Sequence, residues 1–170
     1  MRSTLREEPR TCSTEPVPIL SFFTGAGFLD IGFTKAGFNS VWHNEFNPEI
    51  SRGFNYAMGK RPQTEKWRKL LPFKNIEPAS IEEKTRETIQ EEVIAATGKW
   101  PEVFGVIGGP PCPDFSIAGK NRGGKGDHGK LSSVYVERII ELEPTFFVFE
   151  NVKGLYRTRK HRAFFDGLVR

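Results

Sequence analysis

From Val103 the chain runs through apolar, β-branched residues directly into Gly108-Gly109-Pro110-Pro111-Cys112. Val103, Phe104, Val106 and Ile107 suit a short strand at the centre of a sheet. Gly108 and Gly109 let the backbone turn sharply, and the two prolines fix φ immediately before the sulfur. A thiol held stiffly at the carboxyl end of a strand sits where open α/β sheets bind their ligands. A cysteine that only packs in a core needs no such placement, so the stretch predicts both a parallel sheet and a nucleophile on its rim.

The rest of the chain alternates strand and helix signals. Val17 to Phe23 reads as a buried strand and Phe28 to Ala36 as a helix closing at Gly37. Ser40 to Glu45 is a second strand, and Asn47-Pro48 caps a helix running to about Met58. Gly59 to Lys74 reads as a loop containing Trp67, and Phe73 to Ile76 as a short third strand. Ser80 followed by Glu83 is a capping box that predicts an exposed helix to Thr97, ended by Gly98. Val103 to Ile107 is the fourth strand, and Asp114 to Lys130 a polar, glycine-punctuated loop. Leu131, Val134, Tyr135, Ile139 and Leu142 keep helical spacing; Pro144 stops that helix, and Thr145 to Phe149 is the fifth strand. This rhythm predicts an α/β fold with a doubly wound, mainly parallel sheet.

Two domain expectations follow. Residues 1–16 are polar and rich in Thr, Ser and Pro, as a disordered leader would be. Residues 17–170 form a partial domain, cut after the fifth strand, because His161 to Arg170 places Phe164, Phe165 and Leu168 on a helix with no following strand to cover. Composition narrows the function little. A net charge of +4 suits a polyanionic partner without requiring one. No apolar run nears the roughly 20 residues that span a bilayer, so no membrane role is expected. The two cysteines, Cys12 in the leader and Cys112 in the turn, do not form a disulfide framework, which fits a reducing cytoplasm.

Phe23-Thr24-Gly25-Ala26-Gly27-Phe28 follows the first strand, and its glycines allow a ligand close to the backbone at a helix N-terminus. A nicotinamide site would want a third glycine where Asp30 stands; a plain structural turn is the alternative. Glu45 ends the second strand about 20 residues further on, the distance at which a carboxylate reaches ribose hydroxyls, and Phe46 offers a flat face to a base. Together these residues imply an adenosine-containing cofactor, against the alternative of a solvated acid at a strand end. Glu150 follows the run Phe146 to Phe149 and shares a sheet edge with Cys112; partial burial would raise its pKa, unless it merely caps a helix. The loop Gly119 to Lys130 and the run Arg157 to Arg162 are studded with cations, either as solvated surface or as contacts to a phosphate backbone.

Taken together these residues resemble the DNA cytosine-5 methyltransferase family, over roughly Ile19 to Leu155. Phe23 to Gly27 with Leu29 to Phe33 and Ala36 to Phe38 resembles its first cofactor motif, and Glu45-Phe46 its ribose- and adenine-binding pair. Gly109 to Cys112 with Phe115-Ser116 resembles its Pro-Cys motif, and Glu150-Asn151-Val152 its Glu-Asn-Val motif. The resemblance implies a Rossmann-like fold with S-adenosylmethionine as cofactor and no metal. Cys112 and Glu150 would be catalytic; Phe23, Gly25, Ala26, Gly27, Glu45, Phe46, Ile76 and Pro111 would hold the cofactor; Ser116, Lys120, Arg122 and Lys125 would meet nucleic acid. The partner implied is double-stranded DNA with its target cytosine flipped out, in a bacterial cytoplasm or on the nucleoid, in a restriction–modification setting whose restriction enzyme the sequence does not disclose. Pro113 stands where the family usually has Gln, and Phe28 replaces a common glycine. Nothing after Leu155 matches the family's later motifs or its target-recognition domain, so a complementary subunit or a missing C-terminal part is implied as well. The same chemistry on RNA, a cofactor- or partner-binding fragment without catalysis, and, more distantly, a dehydrogenase are the competing functions.

Overall fold

The computed structural model describes residues 15–60, 75–111, 127–157, 162–163 and 166–167. Within them β1 (Pro18–Phe22), β2 (Asn39–Asn44), β3 (Gly105–Gly108) and β4 (Phe146–Phe149) form one sheet in the order β2-β1-β3-β4. All three pairings are parallel: Ile19 lies opposite Ser40 and Gly105, and Gly108 lies opposite Phe22 and Phe149. Parallel strands need crossovers that cover the sheet's faces, so their side chains are buried on both sides. β3 shows it, with all four residues buried.

The helices are α1 (Phe28–Lys35), α2 (Pro48–Gly59), α3 (Arg86–Thr97), α4 (Asp127–Leu142) and the short α5 (Lys153–Arg157), with a 3₁₀ turn at Ile81–Glu83. Local chemistry accounts for most of their ends. Asn47 accepts from the Glu49 and Ile50 N–H groups and so caps α2, while Gly98, at φ 84°, closes α3 in the left-handed region. The sheet is wound on both faces. Leu20, Phe22, Trp42, Phe104 and Val106 pack with Ile89 and Val93 of α3 and Val134, Tyr135 and Ile139 of α4. On the opposite face Ser21 meets Asp30 of α1, and His43 stacks on Phe54 of α2 with ring centroids 5.0 Å apart.

Three expectations change. Asn75 and Ile76 carry no strand structure, and Phe73-Lys74 lie outside the described residues, so the sheet has four strands there rather than five. The helix expected from Ser80 begins at Arg86. Ser80 accepts from the Glu82 N–H and caps only the 3₁₀ turn, and Thr85 caps α3 by accepting from Thr88. That helix is also not an exposed one, because Ile89 and Val93 are fully buried. The polar loop ends earlier than expected, since α4 starts at Asp127, before Lys130. The leader through Thr14, the loop around Trp67, and Phe164, Phe165 and Leu168 lie outside the described residues.

Close approach explains the glycine that ends β3. A Cβ on Gly108 would lie 2.8 Å from the Tyr135 ring and 3.0 Å from the Phe22 carbonyl oxygen. Gly53 on α2 has nothing within 4 Å of that position. Gly108→Ala is therefore expected to destabilise the chain by about 1–3 kcal/mol through overpacking. Gly53→Ala is expected to stabilise it by about 0.5–1 kcal/mol through helix propensity. Urea unfolding of the two variants checks the pair, and equal midpoints would contradict it.

Candidate active site

β1 connects outward to β2, and the chain then crosses to β3 on the other side of β1. The carboxyl ends of β1 and β3 therefore flank a topological switch point, where loops diverge and leave a crevice. The residues singled out in the sequence leave the sheet on both sides of it.

The first side is the turn after β1. Phe23 has φ 50°, Gly25 58° and Gly27 79°. Glycine carries that geometry without penalty, whereas Phe23 is strained in it. The turn is tied down by its backbone: Thr24 N–H donates to Asn44 O at 2.9 Å, and Gly27 N–H donates to Thr24 O at 3.0 Å. Gly27 is constrained twice, since a Cβ there would lie 2.5 Å from the Phe54 ring. Gly25 is open, with only the Phe23 carbonyl oxygen near, at 3.8 Å. Ala26 is exposed, and so is Phe28.

Glu45, just beyond β2, closes this side. Gly25 N–H donates to its Oε2 at 2.9 Å and Asn47 N–H donates to its Oε1 at 2.8 Å. An ionised carboxylate offers about four lone-pair directions, so roughly half remain for a ligand. Phe46 beside it is 72% exposed. Ile76 is buried, and its backbone is committed to α2: its N–H donates to Asn55 Oδ1 at 2.9 Å, and its carbonyl accepts from Asn55 Nδ2 at 3.0 Å.

The second side is the turn after β3. Pro110 is buried and Pro111 exposed. Cys112 and the loop positions Ser116, Lys120, Arg122 and Lys125 lie outside the described residues. Glu150 reaches this turn from the end of β4. Its N–H donates to Gly108 O at 2.8 Å. Its Oε2 lies 2.8 Å from where a Cβ on Gly109 would stand, so the absent side chain of Gly109 makes room for the carboxylate. The partial burial expected of Glu150 is not found, because the residue is exposed on this open rim. Beside it Asn151 Oδ1 accepts from the Val152 N–H, and Asn151 Nδ2 is buried without a partner.

Tyr135 braces both sides from below. Its hydroxyl donates to Val148 O at 3.0 Å, and its ring centroid lies 5.4 Å from both Phe22 and Phe149. Burial pushes its phenol far up, so the proton stays in place. The site thus brings together Phe23, Gly25, Gly27 and Glu45 on one wall and Gly109, Pro110, Pro111 and Glu150 on the other. Sequence reasoning used Asp30 only to argue against a nicotinamide, and it missed Gly109 as space for a carboxylate. A lone acid inside the apolar run Phe28 to Phe33 was the available signal for Asp30.

The chain is similar to known proteins over most of its length. A Type II methyltransferase of Neisseria meningitidis serogroup C, M.NmeDI, is 44% identical over 155 residues, which is 89% of this chain and 36% of that protein. The Type II methyltransferase M.MthTI of Methanothermobacter thermautotrophicus is 36% identical over 151 residues, covering 89% of this chain and 38% of its own length. The chain therefore spans a little over a third of the length of these two curated relatives. A solved prophage-encoded protein of E. coli, described as a DNA modification methyltransferase, superimposes with a TM-score of 0.63 at 20% identity. That match covers 89% of this chain and 36% of the solved one, and shows a common fold. The family model for C-5 cytosine-specific DNA methylase matches residues 17–168, both walls of the crevice included, and the chain belongs to that family.

Proposed function

We propose that this chain carries the donor-binding and nucleophile-bearing part of an enzyme that methylates C5 of cytosine in DNA. The observation that carries the proposal is the seat of Glu150 against Gly109, three residues before Cys112 and across the crevice mouth from the Gly25–Glu45 clamp. Consecutive Cα atoms are about 3.8 Å apart, so the Cys112 Cα lies within roughly 11 Å of Gly109, and Pro110 and Pro111 limit how that distance is spanned.

The residues present fit S-adenosylmethionine. Gly25 leaves open space on the ligand side, Glu45 keeps lone pairs for ribose hydroxyls, and Phe46 presents an exposed ring to adenine. When bound, this cofactor supplies a methyl group activated on a sulfonium. Phe23, Ala26, Gly27, Ile76 and Pro111 would complete its surroundings.

Cytosine C5 is a weak nucleophile until a group adds at C6. Cys112 as thiolate would form a bond to C6, pushing the ring electrons toward C5. Glu150 would hydrogen-bond the ring N3 and the exocyclic amino group, stabilising the charge that develops there. After C5 is methylated, loss of the C5 proton returns an electron pair to the ring and expels the thiolate. The target base has to leave the duplex first, and Ser116, Lys120, Arg122 and Lys125 are the residues proposed to contact DNA. The family description favours DNA over RNA as substrate. The relatives' names place them in Type II systems, so we extend a restriction–modification setting to this chain. Among the described residues no helix is long and apolar enough to cross a membrane. The remainder of the relatives' length, on this chain or another, would supply target recognition. Residues 17–170 would then be one partial catalytic domain following a leader of residues 1–16.

Two outcomes test this. Cys112→Ser is expected to abolish methyl transfer while leaving cofactor affinity unchanged, and Glu45→Ala is expected to weaken cofactor binding by about 1–3 kcal/mol, the cost of a lost charged hydrogen bond. Turnover by the serine variant, or an unchanged dissociation constant for the alanine variant in calorimetry, would refute the assigned roles. Gly109→Ala would displace only the flexible end of Glu150. It is expected to lower transfer by at least about tenfold, a loss of roughly 1.4 kcal/mol in transition-state stabilisation, at nearly unchanged melting temperature. Full activity in that variant would show that the Glu150 seat is irrelevant.

A further inference from the structure

Asp30 is the one charged side chain among the described residues that is fully buried. Burial alone would raise its pKa. The hydrogen bond and charge of His43, with the hydroxyls of Ser40 and Ser21, outweigh it and hold the carboxyl below its ordinary value, ionised at neutral pH. A buried carboxylate is costly unless paired, and its partners come from both neighbouring strands. Ser40 Oγ of β2 donates to Oδ1 at 2.6 Å, and His43 Nε2 stands 3.4 Å from the same oxygen. Those contacts join α1 to β2.

The other oxygen does something different. Ser21 Oγ of β1 donates to Oδ2 at 3.0 Å. A serine hydroxyl has one proton, so with that proton spent Ser21 is left as an acceptor. Thr24 Oγ1 donates into it at 3.2 Å and also reaches Ser21 O at 3.1 Å. Thr24 is thereby held by its hydroxyl as well as by its N–H and carbonyl, between Phe23 at φ 50° and Gly25 at φ 58°. A strained non-glycine residue keeps such a φ only where its surroundings over-determine it, and this relay is one of the determinants.

We propose that Asp30 is a positioning residue for methyl-donor binding: its negative charge fixes the direction of the hydrogen bond between the Ser21 and Thr24 hydroxyls and so the shape of the Gly25–Gly27 turn. The proposal rests on reading that turn as the donor site. An uncharged amide in place of Asp30 would present a donor to Ser21 or to Ser40. If Ser21 received it, its proton would turn toward Thr24 Oγ1 and reverse the hydroxyl–hydroxyl bond, leaving Thr24 to donate to the Ser21 carbonyl oxygen alone.

The test uses the whole chain, S-adenosylhomocysteine as probe, and calorimetry well below every variant's melting temperature. Asp30→Asn and Ser21→Ala are each expected to raise the dissociation constant about tenfold. The double variant is expected to be no weaker than either single one, because both cut one relay. Ser40→Ala is expected to lower the melting temperature and leave affinity alone. In amide NMR without ligand, the Gly25 and Gly27 signals should shift in Asp30→Asn and Ser21→Ala but not in Ser40→Ala. Should Asp30→Asn fail to fold, Ser21→Ala and Thr24→Val carry the same comparison. Variants that melt lower but bind as tightly, with unmoved glycine amides, would overturn the proposal. If the unaltered chain does not bind the probe, the donor-site reading has failed, and unmoved glycine amides would then sink the relay separately.

Discussion

Parallel pairing of β1 with β2 on one side and β3 on the other is the constraint on which the site depends. It forces the carboxyl ends of all four strands to one rim and leaves the crevice between the loops after β1 and β3. Gly25, Glu45, Gly109 and Glu150 all follow strand ends at that rim. The rim is not held by hydrophobic packing alone. Backbone groups of the loops are satisfied by carboxylates and amides: Glu45 takes the Gly25 and Asn47 N–H groups, and Asn55 takes both backbone groups of Ile76. Irregular backbone without such partners would be unstable in a buried setting.

Glycine has a different task at each position of the site. Gly25 is open toward the crevice, Gly27 yields to the Phe54 ring, Gly108 yields to Tyr135, and Gly109 yields to a carboxylate. The last is the telling one. Glu150 lies against the backbone at Gly109, three residues before Cys112 in sequence, and is itself exposed. Two prolines follow Gly109 and restrict the backbone that leads to Cys112.

Much of this was legible because the signals were local. The apolar runs at 17–23, 40–45, 103–107 and 145–149 each became a strand, and Asn47, Gly37 and Gly98 marked helix ends through their own backbone chemistry. The segment 80–97 misled because Ser80 and Thr85 both offer caps. Tertiary contacts favour the second: Glu92 takes the Trp42 indole N–H at 2.7 Å and pairs with Lys84, fixing α3 against β2. Glu150 was expected to be partly buried because it follows four apolar residues, but a strand end on an open rim faces solvent. The role of Asp30 was illegible for a related reason. Its partners Ser40 and His43 belong to the next strand, and only folding brings them to it.

The most direct test of the central claim, that donor pocket and nucleophile share one rim, is a proximity measurement. A nitroxide is attached to Cys112 after replacing Cys12 by serine, and the chain is titrated with S-adenosylmethionine carrying carbon-13 in its methyl group. The account predicts severe paramagnetic broadening of the bound methyl signal. It also predicts little broadening when the label instead sits at the opposite end of β3, through Val103→Cys in a chain lacking both native thiols. A bound methyl signal that stays sharp beside a label at Cys112, or that broadens equally from both positions, would contradict it.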